Sequence, residues 1–275
     1  LTVAIDYPGK HAGMKDFLTT DVKPKTCGTE IISSRQFPDG AQGKVLFNTF
    51  IGFLGIKQHR ITEDGSGIVG HETEPLLQAK DPNFRPVDLR FGPDGALYVA
   101  DWYNPIISHG ERALRDTLRD HTHGRIWRIT YKGRDLLKPV DFSAMSLEQL
   151  LDQLKVYEDR HRYTTRTQLR QLPASQVLPA LRKWIKALDV NDKEHEQYKL
   201  EALWVYQQFN QPEKALLEEL LKSKDEHIRV AATRVLFYWK DVLPDVEQRL
   251  IRMSEDSSAK ERLQAIISLS YFNTE

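Results

Sequence analysis

The chain has 275 residues, 39 basic and 39 acidic side chains, and 40% hydrophobic content. That length holds one large or two medium domains, and the composition is that of an ordinary globular chain. Zero net charge argues against a dedicated nucleic-acid binder, and no apolar run approaches the ~20 residues that a membrane-spanning helix needs.

Cys27 is the sole cysteine, so there is no internal disulfide and no CxxC or CxxCH motif. The first residue is Leu1, inside what reads as a β region, and no signal peptide is visible. The chain is therefore expected to be a piece of a longer protein.

Residues 1–140 carry most of the glycines and a series of short apolar strands: "KVLFNTFIGF", "GIKQHRIT", "VDLRFG", "ALYVADW" and "GRIWRIT". Such density of strands and turns suits an all-β architecture. A repeat lies within it. "FPDGAQGKVLFNTF" is followed by "GIKQHRIT", and "FGPDGALYVADWYN" by "GRIWRIT". Each unit runs from a Pro-Asp-Gly turn through a strand and a loop to a strand ending Arg-Ile-Thr. The turns at Asp39 and Asp94 lie 55 residues apart. Pro presets φ, Asp bonds nearby backbone and Gly accepts positive φ, which is why this tripeptide turns. Repeats of this length with several strands each predict propeller blades, the second lengthened by an insertion from about Tyr103 to Thr122. Ile126 and Ile129 of "GRIWRIT" are expected to be packed inward.

From residue 141 onward helical periodicity takes over. Ser146 reads as an N-cap, with apolar residues at 147, 150, 151 and 154 behind it. The segments "YKLEALWVY", "IRVAATRVL" and "ERLQAIISL" recur about 30 residues apart, which predicts HEAT-like repeats over 141–275. Ala202, Ala231 and Ala265 would let neighbouring helices approach, and Asp225 with Arg229 would cap and tie adjacent repeats. Trp184, Trp204 and Trp239 read as core, and His161 and Arg162 as surface. The β-to-α boundary is expected between Lys132 and Ser146, with the later helices paired antiparallel in a right-handed stack without a central cavity. The predicted fold class is thus β then α: the last blades of a propeller followed by a HEAT-like α-solenoid.

At "FRPVDLRFGPDGALYVADWYNPII", "RDHTHGRIWRITYKGRDLLKP" and "CGTEIISSRQFPDGAQGKVLFNTFIGFLGI" the sequence resembles the large exported membrane-bound dehydrogenase-like proteins of planctomycetes and verrucomicrobia. The resemblance implies a six-bladed propeller of the glucose/sorbosone dehydrogenase type, then HEAT repeats, then often a cytochrome c domain, in the periplasm or cell envelope. It implies pyrroloquinoline quinone and calcium in the complete propeller, and haem c in a domain outside this chain. The family's quinone contacts, a Lys and an Arg-x-Arg-Asp stretch, map onto "FIGFLG", which has no lysine, and onto Arg85-Pro86-Val87-Asp88, where Val87 replaces the second Arg. Arg85 and Asp88 are the candidate cofactor contacts. The other reading of them is a brace between blades.

Asp101-Trp102-Tyr103-Asn104 reads as a turn, with Asp101 bonding backbone amides and Trp102 packed between blades, or as part of a rim. Arg119, His121, His123 and Arg125 form a candidate substrate or anion rim, since residues 111–134 hold seven basic and three acidic side chains. His109, His121, His123 and Asp120 are candidate metal ligands. Arg85, Asp88 and the 121–123 segment are expected at one end of the β region.

Two functions compete. One is a sugar or polyol dehydrogenase passing electrons to the cytochrome domain. The other is a non-catalytic carbohydrate- or protein-binding module with a protein partner on the helical surface. Neither involves nucleic acid or a transmembrane segment of this chain.

Overall fold

The computed structural model describes residues 25–107 and 112–272. The chain divides into two compact units, one mainly of strands up to Val140, the other mainly of helices from Asp141 on.

The strand unit holds two antiparallel sheets. The first runs in the order β1 (Lys25–Ile31), β2 (Val45–Ile51), β3 (Gly55–Asp64), β4 (Gly67–Gln78). The second runs β5 (Pro86–Phe91), β6 (Leu97–Asp101), β7 (Arg125–Ile129). β2 is an inner strand buried from Val45 to Thr49, so its sequence is nearly continuous apolar rather than alternating. β6 alternates, with Leu97, Val99 and Asp101 buried. Ile32, Phe37, Leu46 and Ile56 share one apolar cluster with Leu89, Phe91, Leu97 and Val99 of the second sheet. Phe37 meets Phe91 edge-on at 5.4 Å.

The expected propeller is corrected here: the described residues form two small sheets of four and three strands, with no closed ring. The repeat that suggested blades is real, but its reach is local. Pro-Asp-Gly, strand and strand recur as the β2–β3 and β6–β7 hairpins. Any antiparallel ribbon can carry that pattern, which says nothing of closure. Even the two turns differ. At Asp94 the carboxylate accepts from Ala96 N (3.1 Å) and Gly95 takes φ +77°, giving a tight hairpin. A side chain at Gly95 would also meet Ser34 Oγ at 2.8 Å. At Asp39 the chain makes a 3-10 turn, and the positive φ falls on Gly43 instead.

Among the described residues eight helices follow: α1 (Leu147–Asp152), α2 (Asp159–Arg170), α3 (Ala174–Lys186), α4 (His195–Gln208), α5 (Lys214–Leu220), α6 (Glu226–Tyr238), α7 (Val246–Met253) and α8 (Ala259–Leu269). Two sheets and eight helices thus replace the propeller-plus-solenoid architecture expected from sequence. The last strand ends at Ile129 and α1 starts at Leu147. Ser146 caps α1 in a reciprocal capping box with Gln149, satisfying two otherwise orphaned amides. Asp225 caps α6 by accepting from His227 N (2.8 Å), and Ser258 caps α8.

One device recurs at three helix starts. The guanidinium of Arg162 donates to the carbonyl of Val156 (2.8 Å), Arg229 to Ser223 (2.8 Å) and Arg262 to Asp256 (2.7 Å). Each reaches back six residues and fastens the preceding turn to its helix. Arg229 also lies 3.6 Å from Asp256, which ties two helix starts together.

α4 packs on α6 and α6 on α8. Ala202 and Ala265 are fully buried and Ala231 is partly buried against the cluster; their small side chains permit that approach. Trp184 and Trp239 join the apolar cluster and Trp204 packs partly buried against it. Arg162 departs from the surface reading: its Nε donates to Glu201 Oε1 at 2.9 Å, and Glu201 is buried. No helix of the described residues is long and apolar enough to cross a membrane.

Candidate functional site

The site sits at one end of the second sheet, where register does the positioning. Pro86 and Arg125 both pair with Asp101, one from each side. The starts of β5 and β7 therefore lie together, with Arg85 and the 121–123 segment at that end. The Asp94 turn lies at the other.

Asp101 is the hub. Its side chain is 0% exposed. Oδ1 accepts from Arg85 N (2.8 Å) and Tyr103 N (2.9 Å); Oδ2 accepts from Arg125 Nε (2.7 Å) and Trp127 Nε1 (3.0 Å). Four donors on one buried carboxylate fix the ends of three segments at once. The turn reading of Asp101 matches this geometry. The packed reading of Trp102 does not, because its indole is 47% exposed.

Arg125 lies between two carboxylates, with Nη1 on Asp81 Oδ2 at 2.8 Å. The Asn83 amide and Arg125 together hold the Asp81 carboxyl below its usual range. The Arg125 guanidinium lies 4.1 Å from the centre of the Tyr103 ring and 5.1 Å from that of Trp127. Tyr103 adopts φ +52°, a left-handed conformation that costs a bulky residue about 1–2 kcal/mol. The hydrogen bond that its amide donates to Asp101 Oδ1 and the ring stack on Arg125 hold it there.

The residues singled out from sequence take different roles. Arg85 is 8% exposed, and its guanidinium donates to the carbonyls of Phe84 (3.2 Å) and Pro105 (3.1 Å). Asp88 is half exposed and pairs with Arg90 at 3.0 Å. The two therefore neither brace each other nor present a fork to a carboxylate, and as placed they do not fit a quinone. Arg119 is buried and donates to the carbonyls of Ala113, Ile106 and Arg112, so it shapes the inserted loop. His121 is exposed. His123 Nδ1 lies 2.8 Å from Asp120 Oδ2, and its ring meets Tyr103 edge-on at 6.2 Å.

The Thr122 amide, then the His123 side chain and amide, hold the Asp120 carboxyl at about 2. Among the described residues, His121, His123 and Asp120 do not gather into a metal-binding group. His109 lies outside the described residues. Ile126 is corrected too. It is 77% exposed, because alternation along β7 turns Arg125 and Trp127 to the opposite face.

Sequence reasoning missed Asp81; it named Arg125 and Tyr103 as rim candidates but not the stack between them. The signal for Asp81 was the "DPN" turn, in which its Oδ1 accepts from Asn83 N at 2.9 Å.

Cys27 borders the start of β5. Its thiol donates to the Pro86 carbonyl at 3.2 Å, and burial together with the nearby Asp88 pushes it up to about 11. At pH 8 only about one molecule in a thousand would carry the reactive thiolate. Iodoacetamide at pH 8 is expected to leave Cys27 largely unmodified in the native chain and to alkylate it in urea. Mass spectrometry reads both states. Rapid native alkylation would contradict the burial argument.

Fold and site together define a chain of two compact units, one of antiparallel sheets ending in an aromatic, carboxylate-lined rim and one of helices. Residues 15–133, which take in the seven strands of the described residues and the rim, match the model of a domain of unknown function, DUF7133. No curated protein matches the chain.

Proposed function

We propose that the strand unit is a non-catalytic carbohydrate-binding module that takes a neutral sugar or polyol at the rim. The observation that carries this reading is the neutralised guanidinium of Arg125. Asp101 and Asp81 both bond it, and aromatic rings lie against it. A cation already shared by two carboxylates has little attraction left for an anion. Arg85 and Arg119 are buried, and each turns guanidinium donors to backbone carbonyls. What remains for a ligand suits hydroxyl groups and C–H faces. The half-exposed Asp81 carboxylate accepts, the His123 imidazole is exposed, and the indoles of Trp102 and Trp127 are 47% and 44% exposed. Tyr103 held in a strained conformation is the kind of feature that collects at ligand sites.

The dehydrogenase reading needs guanidinium groups turned towards a quinone, and Arg85 does not supply one. The test is a panel of neutral mono- and oligosaccharides titrated against the full chain, read by tryptophan fluorescence and calorimetry. Binding is expected for at least one neutral saccharide. Trp102→Ala, whose indole is not buried in the fold, is expected to weaken it about tenfold. The proposal is overturned if no neutral saccharide binds. It is also overturned if the chain, supplied with pyrroloquinoline quinone and calcium, reduces an artificial electron acceptor in the presence of a sugar.

A further inference from the structure

α4, α6 and α8 enclose a groove of about 490 Å³ in the helical unit. Ala231, Arg234 and Tyr238 follow one another at helical spacing along α6, and Trp204 and Gln207 do so on α4, while Gln264 closes the side formed by α8. We infer that this groove binds an extended, acidic peptide segment.

Charge is the first argument. Arg166 lies 5.4 Å from the centre of the Trp204 ring, but Glu201 already neutralises it. Arg234 is exposed and lies 6.0 Å from the Tyr238 ring centre; among the described residues it has no carboxylate partner. No carboxylate stands among the described residues lining the groove. Glu226, at the start of α6, is committed to Lys260 Nζ and Ser258 Oγ, both at 2.6 Å. The groove therefore offers an uncompensated guanidinium over an aromatic floor, which suits an acidic side chain beside an apolar one.

Hydrogen bonding is the second. Gln207 has no side-chain bond among the described residues, and Gln264 uses its amide nitrogen on Ser268 Oγ (3.1 Å), leaving its carbonyl oxygen. Carboxamides on both flanks offer the donors and acceptors that an extended backbone requires. A helical peptide satisfies its own backbone groups, so carboxamides on both flanks favour an extended occupant. Among the described residues lining the groove, Arg234 supplies a single guanidinium, too little to track a phosphate backbone.

The site lies in the other unit from the sugar rim and stands independently of it. Three fluorescein-labelled probes test it by anisotropy with the full chain: a hexapeptide alternating aspartate with phenylalanine, its lysine counterpart, and a twelve-residue oligothymidylate. The acidic peptide is expected to bind and the lysine peptide not to. Raised salt is expected to weaken binding. Arg234→Glu is expected to weaken it at least about tenfold, and Tyr238→Ala to weaken it without charge reversal. Both side chains are exposed, Tyr238 at 52%, so circular dichroism should show both variants folded. The inference is overturned if the acidic peptide does not bind, if the lysine peptide binds equally, or if Arg234→Glu binds as the parent does. Preferential binding of the oligothymidylate, lost in Arg234→Glu, would also overturn it and mark a nucleic-acid groove.

Discussion

Asp101→Ala is expected to destabilise the strand unit by about 3–5 kcal/mol, the range for removing one partner from a buried charged cluster. Two backbone amides lose their acceptor. Arg125 Nε and Trp127 Nε1 lose theirs too, since all four donors converge on a carboxylate that is itself 0% exposed. The methyl of alanine satisfies none of the four. Asp101→Asn separates the parts. Its carbonyl oxygen can still take Arg85 N and Tyr103 N, but its amide nitrogen then faces two donors. An intermediate loss is expected, with Tyr103 no longer stacked on Arg125. Urea unfolding followed by tryptophan fluorescence measures both variants, since Trp102 and Trp127 report on this unit. An alanine variant within about 1 kcal/mol of the parent would show that the hub is not what holds the strand ends together.

Local features were legible where one segment determines itself. The capping box at Ser146 and Gln149 needs only four residues, and the Asp94–Gly95 turn needs three. Assembly was not legible, because a hairpin repeat does not encode what its sheet packs against. The two Pro-Asp-Gly segments show the limit. Both carboxylates also bond distant arginines, Asp39 accepting from Arg134 (2.8 Å) and Asp94 from Arg128 (2.9 Å), yet the two turns take different forms.

The site was half legible for the same reason. Asp101 could be read as a turn former from its place at the end of "LYVA", but its bonds to Arg125 and Trp127 come from the register of β6 and β7. Ile126 and Ile129 were both expected inside, although residues three apart on a strand face opposite ways. The period alone should have placed one outside. Arg85 was legible as an unusual cation and not as a buried one, since its carbonyl partners, one as far along as Pro105, depend on the path of the inserted loop.

Arg162 shows what a tertiary partner does to a surface assignment, and it leads to the other large effect. Arg162 and Arg166 are one turn apart on α2, and both guanidiniums bond the carboxylate of Glu201 on α4. Glu201 is 1% exposed in a helix segment that is otherwise apolar. Burial pushes its carboxyl up, and the two guanidiniums oppose that shift. Glu201→Ala is expected to cost the helical unit about 3–5 kcal/mol, because it strands two largely buried cations against the apolar cluster. Desolvation governs the sign of the companion experiment. Combining Glu201→Leu with Arg162→Met and Arg166→Met removes all three charges together, and most of the lost stability is expected to return. Urea unfolding followed by far-ultraviolet circular dichroism compares the three proteins. If the triple variant were no more stable than Glu201→Ala, the loss would stem from packing around α4 rather than from stranded charge.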